Sequence, residues 1–343
     1  MGVDSTSASV QNDPTVMIQS RSFNHTWVSY SACTIWTAGL SGQSSLASRS
    51  LRLNTAATGY ISGTVLNAPN VRIVRSSFDD TQLIADTVAE NHIVIPHITG
   101  LLRRPPSGPG PDFLIRLAGT GIIADWQTGS YGVLNPKVWS DVDDIEAITS
   151  LPVGSLHQPA NKILQAAAAA HGDMLNAAII YLPGIYGPGR GPGNKRSLLV
   201  PEMCENMIEL RHAFSAQSDA NQRSWVHVDD LMKLYLKLVE ANVAGRGCGV
   251  REGGKRSAWF PSDQEPKRLS VEAAREMRGG LSWEPVGLYT WACNTCARAD
   301  RAREVLGYAP DAPSLWDALE CDLLAAVEHV KRNGSTYYPG LRL

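Results

Sequence analysis

Arg190 closes the loop Tyr186-Gly187-Pro188-Gly189-Arg190, and the run Ala177 to Leu182 just before it is apolar and holds two isoleucines. Such a run reads as a fully buried strand of a parallel sheet. A fixed cation at the C-terminal end of that strand stands where open α/β sheets bind ligands. His157 titrates near neutrality and could move a proton. Tyr131 and Tyr186 are further candidate proton donors that spacing does not rank. Asp141, Asp143 and Asp144 could hold a divalent cation. Acids grouped this way more often open a helix, where the macrodipole favours them, and no metal site is expected. Cys293 and Cys296 form a lone CxxC with no second pair at zinc spacing, so they read as free thiols in a reducing compartment.

These residues need elements to place them. Phe113 to Leu117 reads as a strand that runs into AGTGIIADW. The stretch SLHQPANKILQAAAAAHGD reads as a helix, with Pro159 in its first turn and Gly172 at its end. Trp225 to Val228 reads as a short strand, followed by a helix on which Leu231, Leu234, Leu238 and Val239 recur at helical spacing. Further helices are expected near Gln82 to Ala89 and over 196–211, Val271 to Arg278 and Ala297 to Leu306. A last one follows a Ser314 cap. Residues 1–50 are Ser-rich with no clean apolar period and read as a poorly ordered leader.

The bulk properties exclude several classes. The chain has 343 residues, 43% of them hydrophobic, and a formal net charge of −2. This suits about two domains with an ample core. The charges are mixed, so neither nucleic acid nor an anionic membrane is an expected partner. No apolar run approaches the ~20 residues of a membrane span, and a cytoplasmic location is expected.

Ile185 to Arg190 and Arg223 to Asp230 (RSWVHVDD), in this order and at this distance, resemble the extended short-chain dehydrogenase/reductases of the NAD-dependent epimerase/dehydratase family. LRLNTAATGYISGTVL, residues 51–66, resembles that family's first strand, glycine turn and helix. The resemblance covers about residues 51–332. It implies a Rossmann-type parallel α/β sheet with a smaller interleaved C-terminal lobe. Residues 51–195 would form the NAD(P)-binding domain and 196–343 mainly the substrate-side lobe, with 224–243 packing back on the Rossmann core. It also implies NAD or NADP as cofactor, a small polar substrate, and a fold that admits a homodimer.

The family's site residues carry over position by position. Thr55, Ala56, Thr58, Gly59, Tyr60 and Ile61 would approach the cofactor, with Pro183 and Ile185 beside it. Thr120 matches the strand-end Ser/Thr that orients the substrate oxygen. Lys162 matches the lysine of the Tyr-x-x-x-Lys pair, which binds the ribose and lowers the tyrosine pKa. Tyr186, Arg190, Arg223 and His227 would face the substrate.

The chain also departs from the family. Gln158, which cannot titrate, stands where the catalytic tyrosine should be, and His157 is the adjacent candidate for its role. The glycine turn keeps only Gly59 of its three positions, with Ala56 and Ser62 at the others. One strand and parts of two helices of the Rossmann half read as trimmed. The first reading is therefore an NAD(P)-dependent oxidoreductase or epimerase/dehydratase. The alternative is a catalytically inactive cofactor-binding or protein-interaction member, and a third is a truncated, poorly folding product.

Overall fold

The computed structural model describes residues 112–191, 194–210, 220–243 and 286–333, with shorter pieces at 35–38, 51–54, 60–61, 71–74, 82, 86, 93–94, 258–259 and 267–268. In chain order the elements are β1 (Ile35–Ala38), β2 (Leu51–Asn54), β3 (Val71–Val74), β4 (Ile93–Val94), β5 (Asp112–Gly119), β6 (Trp139–Ser140), α1 (Ile145–Ser150), α2 (Gln158–His171), β7 (Leu175–Leu182), β8 (Gly184–Tyr186) and α3 (Leu199–Leu210). They continue with β9 (Gln222–Arg223), β10 (Trp225–His227), α4 (Val228–Val243), β11 (Ala258–Trp259), β12 (Lys267–Arg268), α5 (Val286–Ala292), β13 (Ala297–Arg298), α6 (Asp300–Leu306) and α7 (Leu315–Asn333). The helix expected over Val271 to Arg278 lies outside the described residues.

The central pair is β5 and β7. They run parallel in register from Asp112↔Leu175 to Gly119↔Leu182. Phe113, Ile115, Ala178 and Ile180 on them are fully buried, so these strands read as apolar runs because both faces are covered. Leu231, Leu234 and Leu238 of α4 lie in the same core. Each such side chain contributes about 1.5–3 kcal/mol of burial free energy.

The sheet order is β11-β7-β5-β4-β1-β2-β3. Every pairing in it is parallel except those of β1, which is antiparallel to both β2 and β4. β1 comes from the segment expected to be a leader. Its sequence, IWTA, has the β-branched and aromatic residues that suit a strand. The Rossmann-type α/β sheet thus has seven strands among the described residues, and the one between β4 and β2 is supplied from upstream.

Three two-stranded sheets accompany it among the described residues. β8 and β10 pair in parallel, Gly184↔Trp225 to Tyr186↔His227. The two stretches that carried the family resemblance are therefore direct neighbours. Trp225 lies flat against Gly184, where an added Cβ would come within 2.5 Å of its ring. β13 pairs in parallel with β6, so the helix expected from Ala297 starts only at Asp300. Ser140 Oγ donates to Asp300 Oδ2 at 2.7 Å across that junction. α7 opens on a reciprocal cap: Asp317 N–H donates to Ser314 Oγ and Ser314 N–H to Asp317 Oδ2, at 3.3 and 3.0 Å.

Candidate active site

β5 ends at Gly119, and a buried single turn, Thr120–Ile123, follows. Two side chains pack on the glycines that flank Thr120. A Cβ built on Gly119 would lie 2.6 Å from Nε2 of His157. One built on Gly121 would lie 2.5 Å from the hydroxyl oxygen of Tyr289. The two glycines thus leave room, at the C-terminal end of a central strand, for an imidazole and a phenol on either side of a threonine.

His157 immediately precedes α2 with φ +64°, the only non-glycine residue at positive φ among the described residues. The left-handed conformation costs a residue with a Cβ roughly 1–2 kcal/mol. It turns the chain before Pro159 and frees His157 from the helix face that Gln158 and Lys162 share. His157 is exposed, with its ring packed on Gly119. That crowding, and then the Arg116 guanidinium, push its imidazole down to about 4, so it is neutral at pH 7.

Gln158 and Lys162 project from α2 toward the end of α1. Gln158 is fully buried, and its Nε2 donates to the carbonyls of Leu151 at 2.7 Å and Thr149 at 3.2 Å. Its Oε1 is buried without a partner. Lys162 Nζ donates to Thr149 O at 2.7 Å. One of three ammonium donors is engaged there, so two remain for a diol. The lysine therefore fits a ribose, while the residue at the tyrosine position is a structural amide. Beneath them Arg116 Nε donates to Asn161 Oδ1 at 2.9 Å, and Asn161 Nδ2 lies 3.4 Å from the Tyr181 hydroxyl.

The substrate-side candidates divide into two groups. Arg223 is buried, donates to Tyr289 O at 2.8 Å and sits 5.7 Å from the centre of that ring. It therefore holds Tyr289 rather than forming an ion pair with Asp229 or Asp230. Tyr186, His227, Arg190 and Tyr60 form the second group. Tyr186 is fully buried and donates its hydroxyl to Pro313 O at 2.9 Å. His227 meets Tyr186 edge-on at 5.2 Å, and its Nδ1 accepts from Asp229 N–H at 3.1 Å. Burial holds His227 below its ordinary value, with Asp229 and Asp230 opposing. Arg190 pairs with Asp229.

Tyr60 donates to Gly187 O at 2.6 Å and lies 3.0 Å from Tyr186 O. These contacts tie Tyr60 to this loop. Burial raises its pKa far above the ordinary tyrosine value. Ile61 packs against the main core, Pro183 is buried and Ile185 is half-buried in β8. Thr55, Ala56, Thr58 and Gly59 lie outside the described residues.

The acids at 141–144 are structural. Asp141 is fully buried and accepts from Arg301 N–H at 2.9 Å, and Asp144 accepts from Lys137 at 2.6 Å and from Ser140 N–H at 2.8 Å. No group of His, Cys, Asp or Glu among the described residues could hold a metal ion. Cys293 and Cys296 are buried thiols outside any disulfide, both pushed up to about 12 by burial. No helix among the described residues is long and apolar enough to cross a membrane.

Residues 155–249, which span α2, β7, β8, β10 and α4, match the NAD-dependent epimerase/dehydratase family. Oxidase ucsJ from Acremonium is 26% identical to it over 295 residues, covering 75% of this chain and 84% of the relative. Among solved structures, PbgP3 from Burkholderia pseudomallei aligns at 14% identity and a TM-score of 0.49, over 81% of this chain and 88% of its own. MoeE5, solved with UDP-glucose and NAD, aligns at 17% identity and a TM-score of 0.49, over 82% and 98%. DesIV from Streptomyces venezuelae, a dTDP-glucose 4,6-dehydratase solved with NAD and TYD, aligns at 15% and 0.48, over 77% and 82%. The epimerase/dehydratase match includes His157, Gln158 and Lys162, but Thr120 and Tyr289 lie outside it.

Tyr289, whose hydroxyl packs on Gly121, was not singled out by the sequence reading. It lies far from every motif, on a seven-residue helix, α5, that carries no family signature. Its only signal is spatial, through Gly121.

Proposed function

We propose that this chain is an NAD(P)-dependent oxidoreductase of the epimerase/dehydratase type, acting on a small polar carbonyl or alcohol. The observation that carries this reading is the strand end itself. Thr120 sits at the C-terminus of β5 with the His157 ring packed on the preceding glycine. The match to the family over 155–249 and an oxidase among the curated relatives support the same class.

When bound, the nicotinamide supplies or takes the hydride. The residues of this chain do the rest. Lys162 would hold the ribose with the two donors that Thr149 does not engage. Thr120 would orient the substrate oxygen by a hydrogen bond. His157, neutral at pH 7, would hydrogen-bond that oxygen or a water beside it. The Tyr60–Gly187 contact would keep the cofactor-side helix against the loop after β8.

A titration with NADH and NADPH tests the reading, followed by energy transfer from the nine tryptophans to the reduced nicotinamide. Saturable binding in the micromolar range is the expected result, and Lys162→Ala should weaken it by about tenfold, the worth of one or two hydrogen bonds. Absence of binding to folded protein would sink the reading.

A second reading has its own support. Gln158 stands at the tyrosine position with both its amide protons on main-chain carbonyls. A member that binds the cofactor and performs no redox step would look the same there. Saturable NADH binding without oxidation of NADH by any of a panel of aldehydes and ketones would favour it.

A further inference from the structure

We propose that Tyr289, reaching over from α5, supplies the proton that the family's missing helix tyrosine would have supplied. This rests on the oxidoreductase reading above and names its acid.

Three observations carry it. First, placement: the Tyr289 hydroxyl oxygen lies against Gly121, one residue past Thr120, at the end of the central strand. A Cβ at Gly121 would come within 2.5 Å of that oxygen and 3.1 Å of Leu156 Cδ1. The phenol therefore occupies space that only a glycine leaves. Second, support: Arg223 holds the ring from behind. Its guanidinium donates to Tyr289 O at 2.8 Å and stands 5.7 Å from the ring centre, a cation–π distance. Arg223 is itself fixed, since it is buried on β9 and bridged to Thr295. A reacting side chain locked by a buried partner is what a positioned acid requires. Third, complementarity: Gln158 cannot donate a proton, whereas His157 and Tyr289 bracket Thr120 from opposite glycines.

The chemistry balances as follows. With NAD(P)H bound, in the reductive direction the carbonyl carbon would receive a hydride with its two electrons, leaving NAD(P)+. The C–O π pair moves onto oxygen. The Tyr289 O–H bond breaks, and its proton goes to that oxygen to give the alcohol. The phenolate would then regain a proton from water, which balances the step. Burial favours the neutral phenol, and the Arg223 guanidinium moderates that shift by stabilising the phenolate.

The test uses the full chain labelled with 13C at tyrosine Cζ. Tyr289→Phe identifies which of the ten tyrosine resonances belongs to Tyr289. NADH binding is followed in parallel by tryptophan energy transfer. The expected result is that NAD+ moves the Tyr289 resonance saturably. It should also lower the midpoint of that resonance's titration by about one pH unit or more, as a cation within ~4–6 Å would. Tyr289→Phe should leave NADH affinity within about twofold, because the phenol is placed toward the substrate oxygen and not the ribose. Gly121→Ala, which pushes the hydroxyl aside without altering the tyrosine, should abolish the NAD+ response while NADH still binds. A Tyr289 resonance that stays put while NADH binds saturably would overturn the assignment and leave the oxidoreductase reading standing. Failure of the folded protein to bind either nucleotide would overturn both.

Discussion

Lys162 and Gln158 donate to the same backbone oxygen, that of Thr149, at 2.7 and 3.2 Å. One turn apart on α2, they clasp the end of α1, and Gln158 takes Leu151 O as well. The pair that the family uses for chemistry is here half anchor.

Restoring the tyrosine therefore has a structural cost. Gln158 has no exposed surface, and a phenol in its place must displace neighbours and abandon two main-chain carbonyls. Gln158→Tyr should lower stability by about 1–3 kcal/mol through overpacking and the lost hydrogen bonds. Urea denaturation measures it directly. A variant as stable as the parent would show that α1 yields easily and that the clasp holds little.

The loop after β8 makes a second prediction. Gly187 has φ +88°, and a Cβ there would lie 2.2 Å from Nε2 of the buried His227 ring. Gly187→Ala meets two penalties, the left-handed backbone and the ring. His227→Ala removes only the second. The double variant should recover about 1 kcal/mol or more relative to the sum of the single variants, and should keep a residual loss of about 1–2 kcal/mol from the backbone. Denaturation of the four proteins closes the cycle, and strict additivity would show that the ring already moves aside.

Glu202 on α3 makes the third. Burial first, and then the neighbouring Glu205 carboxylate, push its pKa up to about 7. A carboxyl raised above its unfolded value of 4.5 binds a proton more readily when folded. Its contribution is therefore intact below about pH 4.5 and is lost as pH rises through 7. Glu202→Gln should stabilise the protein by about 1–3 kcal/mol at pH 8 and leave it little changed at pH 4.5. Thermal unfolding at the two values is the measurement. Equal effects at both would place the cause in packing rather than in charge.

The parts that could be read from sequence follow from how local each signal is. β5 and β7 were legible because strands covered on both faces must be continuously apolar, and β10 because it sits inside a short ordered motif, whereas β8 (Gly184–Tyr186) was read as loop after Pro183 and Gly184. Pro159, Gly172 and Ser314 marked helix ends through their own backbone chemistry. β1 was not legible, since four residues in a Ser-rich stretch carry no period and gain their pairing only from the strands on either side. Asp141 looked like a solvated helix opener, yet its partner Arg301 lies in another part of the chain. Tyr289 meets Gly121 only once distant parts of the chain have folded together, and no spacing rule reports such a meeting.

The antiparallel β1 has a geometric consequence for the nucleotide end. In an order that ran straight from β4 to β2, the C-terminal end of β2 would stand beside that of β4. With β1 interposed, the end of β2 is one interstrand spacing farther out, about 4.8 Å. A dinucleotide reaching from Thr120 to the end of β2 would have to span that added distance. Deleting the segment that carries Ile35 to Ala38 would then change how far apart the two ends of a bound cofactor must lie, rather than merely removing a tail.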